Sequence, residues 1–198
     1  MIQVRLAAPG RAARVTLLVL GAALLRALLL PAGDVFSTIV FAGCLLAITL
    51  MERMDPPARP SPAREEGDSP GFSTWAVLAG LATGAVLLVP VMLSPFSGRP
   101  LAAFWEWAAI AAVIATLEET AIRGALYQRW SEEAGPLIAI VAGALVFALI
   151  HLPRYGLGAM PLDAAVGLAL GGLRTLTGRV LPCAVAHTIA DWGAWFWA

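Results

Sequence analysis

Seven apolar runs, each near the length of a bilayer-spanning helix, account for most of this chain and leave little else to fold. A hydrocarbon core about 30 Å thick needs about 20 residues of helix, within a range of about 17–25. Between charged or Pro/Gly-rich breaks the runs cover Val15 to Leu30, Val35 to Met51, Phe72 to Leu93, Leu101 to Trp130, Pro136 to Leu152, Leu162 to Thr175 and Val180 to Ala198. The first, second and sixth are short. Of the 198 residues, 60% are hydrophobic and 13% charged, and the mean hydropathy is +0.81. A water-soluble domain is roughly 45–50% apolar and about 25% charged, so this chain has too few polar groups to cover a water-facing surface. The pattern predicts an all-α fold, a polytopic membrane helix bundle of about seven spans.

Arg5, Arg11 and Arg14 precede the first run as in a signal peptide, but Arg26 interrupts the run and no small-x-small site follows before Pro31. It reads as a retained span. Residues 52–71 are rich in Pro, Arg and acids and read as a cytoplasmic loop. The chain thus divides into an N-terminal membrane region, 1–100, with three spans, and a four-span core, 101–198. Positive charge favours the cytoplasmic side. With the N-terminus inside, Arg5, Arg11, Arg14, Arg53, Arg59, Arg64, Arg129, Arg174 and Arg179 fall inside; Arg99 and Arg154 fall outside, with Arg26 near the outer end of the first span. An N-in, C-out topology follows. The tryptophans sit near span ends: Trp75 and Trp130 inside, Trp105, Trp107, Trp192, Trp195 and Trp197 outside. Gly80 with Gly84, and Gly167 with Gly171, are small residues four apart that allow close helix approach.

Thirteen basic residues, all arginine, cancel thirteen acidic ones and are scattered between apolar runs. No cationic face for nucleic acid is present. Cys44 and Cys183 lie in apolar runs without paired spacing and read as buried small hydrophobes.

An ionisable side chain near the centre of a membrane helix costs about 2.5–3.5 kcal/mol or more, so one that persists there is a candidate for function. Glu118, Glu119 and Arg123 lie in the fourth run, His151 near the end of the fifth, and His187 and Asp191 in the seventh; both histidines of the chain are among them. Glu119 and Arg123 stand four apart, acid first, the spacing of an intrahelical ion pair, whereas Glu118 points about 100° away. His187 and Asp191 share a helix face, as do Phe147 and His151. Counted from the inner span ends at about 1.5 Å per residue, Glu118, His151, His187 and Asp191 reach overlapping depths. Plainer roles fit each group: a helix-stabilising bridge for Glu119 and Arg123, an interhelical hydrogen-bond pair for His187 and Asp191, water at the interface for His151. Glu118 has no local counter-charge, and the two histidines are its natural partners.

A buried carboxylate beside an imidazole can hold and deprotonate water, and a second imidazole can meet the charge that develops on a carbonyl oxygen. That equipment suits hydrolysis. Other intramembrane protease chemistries fit poorly. There is no HExxH, no GxSxG elbow, and Asp191 is the one aspartate deep in a span, so no two-aspartate dyad forms.

The motifs EExxxRG (Glu118 to Gly124), FxxxH (Phe147 to His151) and HxxxD (His187 to Asp191), in this order on successive hydrophobic helices, resemble the CPBP family of type II CAAX prenyl endopeptidases and bacteriocin-processing enzymes. The resemblance covers Leu101 to Ala198. It implies a glutamate-type intramembrane endopeptidase in which Glu118 is the base and His151 its partner. Glu119 and Arg123 would be the supporting ion pair, with His187 and Asp191 at the oxyanion. Family members commonly carry Asn where Asp191 stands, and an ionised Asp can only accept hydrogen bonds. Asp191 would therefore be protonated, orient His187 or bind a metal. No cofactor is expected, although Glu118, His151 and His187 suffice as three ligands for zinc.

The implied partners are a peptide or membrane-anchored protein substrate and the lipid bilayer, and the all-Arg, Ala-rich chain suits a bacterial inner membrane. Two other readings use the same residues: a non-catalytic protein of this fold serving bacteriocin immunity or as a scaffold, and a small proton-coupled transporter. Binding alone needs no base, and the chain lacks the internal repeat that builds alternating access.

Overall fold

The structure, a computed structural model, describes residues 10–55, 73–93 and 100–197, and among these every element is helical. Seven helices follow one another: α1 (Arg11–Leu29), α2 (Asp34–Met54), α3 (Thr74–Met92), α4 (Leu101–Ala134), α5 (Pro136–Tyr155), α6 (Met160–Thr177) and α7 (Leu181–Trp197). Helices α1 to α5 are long and apolar enough to cross a membrane. The other two expected spans fall outside that group. Helix α7 has 17 residues, and α6 carries Asp163 and Arg174 within its 18.

Pairwise packing builds the bundle: α1 on α2, α5 on α6, and α3 on α7, with α4 between the hairpins. The surface is inverted relative to a soluble protein. Leu17, Leu28, Val86 and Leu145 are more than half exposed, while Glu52, Glu118, Glu119, Arg123 and Arg129 are buried. This is the distribution expected where lipid is the outer solvent and charge must be paired inside. Between the helices lies an apolar core that includes Val19, Phe41, Leu45, Ile122, Leu126, Leu170 and Cys183.

Small residues set the closest approaches. A methyl group added at Gly167 would lie 2.7 Å from the Ala144 backbone, and one at Gly80 would lie 2.7 Å from the Pro182 carbonyl oxygen. Those glycines bring α6 onto α5 and α3 onto α7, the packing role their spacing suggests. Gly167→Leu should separate α5 from α6 and lower stability by about 1–3 kcal/mol or more. Gly172→Ala, where no neighbour lies within 4 Å, is the control. Thermal unfolding in detergent, followed by tryptophan fluorescence, checks the difference; equal midpoints would refute it.

Two element ends depart from the apolar pattern. Helix α2 continues through Glu52 to Met54, into the segment expected as loop. The reason is electrostatic: Glu52 is buried and accepts from Arg14 Nη2 and from Arg129 Nε, both at 2.6 Å. Positions 56–71 of that loop lie outside the described residues. Helix α5 runs past Leu152 and includes Pro153, ending at Tyr155. Proline is tolerated this close to a helix end because few backbone hydrogen bonds are lost. The extension places Tyr155 one turn beyond His151.

Helix α4 changes pitch at the motif. After Phe104–Glu119 it becomes π-helical over Thr120–Leu126 and returns to α-helix over Tyr127–Ala134. Insertions of this kind cluster at functional sites because they re-aim side chains without breaking the helix. Arg174 of α6 donates to the Arg123 carbonyl at 2.9 Å, tying the π segment to its neighbour.

Candidate active site

The six polar residues singled out in the spans converge on one locus, contributed by α4, α5 and α7. At its centre Glu118, 4% exposed, points between the two imidazoles. His151 Nε2 and His187 Nε2 each lie 3.9 Å from Glu118 Oε2. That separation is too long for a direct hydrogen bond and suits one intervening small molecule. Ligand atoms of the three side chains all fall within 4.8 Å of one another.

Each imidazole is oriented through its other nitrogen. His151 Nδ1 lies 2.8 Å from the Phe147 carbonyl oxygen, an acceptor, so Nδ1 is the donor. His187 Nδ1 lies 3.0 Å from Glu119 Oε1. Both Nε2 atoms are thereby turned towards Glu118. His187 is also 3.7 Å from Asp191 Oδ1, so three carboxylates surround this ring.

Glu119 and Arg123 form the ion pair that their spacing suggests, with Arg123 Nη1 2.9 Å from Glu119 Oε1, and both are fully buried. The pair does more than neutralise itself. Arg123 Nη2 donates to the Gly167 carbonyl at 3.1 Å, and the same Glu119 oxygen meets His187. Glu119 thus links α4 to α7, while Arg123 links α4 to α6. Exposure rises outward across the site: the Glu118 side chain is 5% exposed, that of His151 15% and that of Asp191 34%. The site opens on the His151 and Asp191 side.

Phe147 organises three of these groups. Its ring lies 4.4 Å from the His151 ring and 5.1 Å from that of His187, and the Arg123 guanidinium sits over it at 4.8 Å. Cation–π contact of this kind gains strength in a desolvated setting. On the other side of His151, Tyr155 stacks at 5.8 Å with an interplanar angle of 13°.

Three residues at the site went unrecognised in the sequence. Tyr155 lies beyond the expected end of its span. Asp163, in the first turn of α6, lies in Coulombic range of both histidines, and its Oδ2 is buried with no hydrogen-bond partner among the described residues. In sequence it reads as an ordinary acid at a helix N-terminus. Arg26 of α1 lies in Coulombic range of Glu118. Its anomalous place within a span was visible; its proximity to Glu118 was not.

Residues 100–193 match the family model for type II CAAX prenyl endopeptidase Rce1-like proteins, just under half of the chain. Over this region the chain is similar to the Rce1-like family. The match bears out the resemblance carried by the three motifs, and it encloses all six residues of the cluster. With the apolar helices, this similarity points to an integral membrane protein and supports a CAAX-type intramembrane protease kind of function. No curated protein and no solved structure matches the chain. The Rce1-like domain does not stand apart from the preceding helices. Phe41 and Leu45 of α2 and Val19 of α1 share its core.

Proposed function

We propose that this protein is a glutamate-type intramembrane endopeptidase that cuts a membrane-anchored or hydrophobic-tailed peptide with a water activated by Glu118. The observation that carries the reading is the pair of 3.9 Å separations from one Glu118 oxygen to two imidazole nitrogens. Water held there hydrogen-bonds to Glu118 and His151. Glu118 takes a proton as the water oxygen attacks the scissile carbonyl carbon. The tetrahedral intermediate then collapses, the C–N bond breaks, and the proton passes from Glu118 to the departing amine.

His187 supplies the complementary charge. Surrounded by Glu118, Glu119 and Asp191, it is held as the imidazolium, and its Nε2–H donates to the oxyanion. Glu119, fixed by Arg123, keeps that ring in place. Asp191 acts on His187 and not on the oxyanion directly. In this reading it helps to retain the proton on the imidazole, a role supported by its 3.7 Å separation from His187 Nε2. Asp191→Asn should therefore keep turnover within about tenfold of wild type, whereas His187→Ala should lose about 10²–10³-fold. A collapse of activity in Asp191→Asn would place Asp191 in the chemistry itself.

Glu118, His151 and His187 also form a donor set that fits a zinc-like ion. Each histidine gives its second nitrogen to an oxygen acceptor, as metal-bound histidines do. Such an ion, when bound, would make its water more acidic.

The test is cleavage of a membrane-anchored reporter in proteoliposomes by wild type and Glu118→Gln, each with and without chelator. The proposal expects cleavage by wild type alone, unchanged by the chelator. Loss on chelation, restored by added zinc, would replace the metal-free mechanism.

A further inference from the structure

The site around Glu118 is rich in hydrogen-bond acceptors, and most of its donors are already engaged. Glu118, Glu119 and Asp191 surround His187, and an ionised carboxylate only accepts. Arg123 is committed to Glu119 and to the Gly167 carbonyl. His151 spends its Nδ1–H on the Phe147 carbonyl and turns Nε2 to Glu118. Of these groups, His187 Nε2–H alone is left to meet the charge on an oxyanion. Sites that stabilise such charge well offer more than one fixed donor.

Tyr155 is placed to add one. It is the last residue of α5, and Gly156, at a φ of +75°, ends the helix directly after it. Phe147, His151 and Tyr155 stand four apart along α5 and form a ladder of rings, with centroids 4.4 Å and then 5.8 Å apart. The ladder climbs from Phe147, 2% exposed, to Tyr155, 56% exposed, and so from the floor of the site to its open side. The phenol ring is held by its stack on His151, 13° from parallel, and by the Arg154 guanidinium 6.0 Å from its centroid. Its hydroxyl makes no hydrogen bond to the described residues. Asp191 and Glu118 both lie in Coulombic range of it, which puts the phenol beside the reacting groups.

Given the peptidase reading on which this rests, we propose that Tyr155 is a catalytic residue whose hydroxyl donates a hydrogen bond to the scissile carbonyl oxygen, as a second donor beside His187. A phenol, with a pKa of about 10, keeps its proton at neutral pH and can serve as a donor there. As the water oxygen bonds to the carbonyl carbon, the C=O π electrons move to the oxygen, and the bond from Tyr155 strengthens without proton transfer. It relaxes when the carbonyl re-forms and the amine departs. Substrate covering the open side shields the phenol from water, which makes the contact stronger. A tyrosine at a span end can also serve only as an interfacial anchor. Tyr155→Phe separates the two roles, because it keeps the ring and its stack and removes the hydroxyl alone.

Full-length wild type, Tyr155→Phe and Tyr155→Ala are compared in proteoliposomes on a membrane-anchored reporter. Tyr155→Phe should lower kcat by about 10–10²-fold with KM and melting temperature unchanged, a smaller loss than for a fully enclosed oxyanion donor because the ring is half exposed. Wild-type kcat in Tyr155→Phe overturns the proposal: activity lost only in Tyr155→Ala would make the ring a support for His151, and activity kept in both would make it an anchor. A loss confined to KM overturns it too. The second arm needs no turnover. In phosphatidylcholine nanodiscs with chelator, each protein is titrated with a lipidated, dansyl-labelled tripeptide carrying a phosphinate, a tetrahedral anion, in place of one amide. The same tripeptide with a planar ketomethylene is the comparison. Wild type should prefer the phosphinate, and Tyr155→Phe should cut that preference about tenfold or more, as for a hydrogen bond to a charged acceptor. No preference in wild type, or one that Tyr155→Phe leaves unchanged, overturns the proposal even if kcat falls. A Tyr155-dependent preference in a protein that cuts no reporter would uphold the donor and sink the peptidase reading.

Discussion

Glu118→Gln should reduce single-turnover cleavage of a membrane-anchored reporter by about 10²–10⁴-fold, the usual contribution of a positioned general base. The substitution preserves shape and removes the ability to accept a proton. Glu119 is the nearest carboxylate in sequence, but its Oε1 is occupied by Arg123 and His187, and the residue is fully enclosed. Stability should hold or rise slightly, because an uncharged amide is cheaper to bury than a carboxylate that makes no hydrogen bond to the described residues. This pairing of lost turnover with intact folding distinguishes a base from a structural acid. Cleavage within threefold of wild type would remove Glu118 from the chemistry, and a large fall in melting temperature would make its role structural.

The largest effect on stability is expected at the other end of α4. Glu52→Ala should cost about 3–5 kcal/mol, the range for breaking a buried ion pair by deleting one partner. Glu52 accepts two hydrogen bonds of 2.6 Å, one from α1 and one from α4, and Arg129 is 2% exposed. Removing the acid leaves the Arg129 guanidinium with the Asp55 carbonyl at 2.8 Å, the Asp55 carboxylate at 3.6 Å and Glu132 at 3.3 Å. The link that runs from Arg14 of α1 through Glu52 of α2 to Arg129 of α4 would also be broken. The double variant Glu52→Leu with Arg129→Leu should recover most of the loss, since a matched apolar pair replaces a buried ion pair at little cost. Reversible unfolding in mixed micelles measures both. A loss below about 1 kcal/mol in the single variant would show that the pair is solvated.

How far the sequence reached can be judged at particular residues. Helix identity followed from apolar run length, because in lipid each helix satisfies its own backbone and no tertiary partner is needed to specify it. The i, i+4 pairs were equally legible, since spacing on one helix fixes which side chains meet. Glu119 with Arg123 and His187 with Asp191 are examples. Links between helices were not. The contact between His187 and Glu119 joins residues 68 apart. Nothing in local spacing separates it from contacts to the other acids of the cluster. Asp163 shows the same limit from the opposite side: its sequence context is that of a helix start, and only the packing of α6 against α5 brings it near both histidines. Charge misled at Glu52. A charged residue next to a Pro/Arg-rich stretch reads as loop unless the two arginines that bury it are already known.

By itself the sequence determined a helical membrane bundle and the set of ionisable groups that its interior would have to accommodate. Both depend on local quantities, run length and residue spacing, and on the high cost of charge in hydrocarbon. The tertiary structure alone decided that one Glu118 oxygen stands equidistant from two imidazoles, and that Arg26 enters the same neighbourhood with no carboxylate paired to it among the described residues. Those placements depend on how α1, α4, α5 and α7 rotate against one another. That rotation is set by small-residue contacts and interhelical hydrogen bonds, which no single segment encodes.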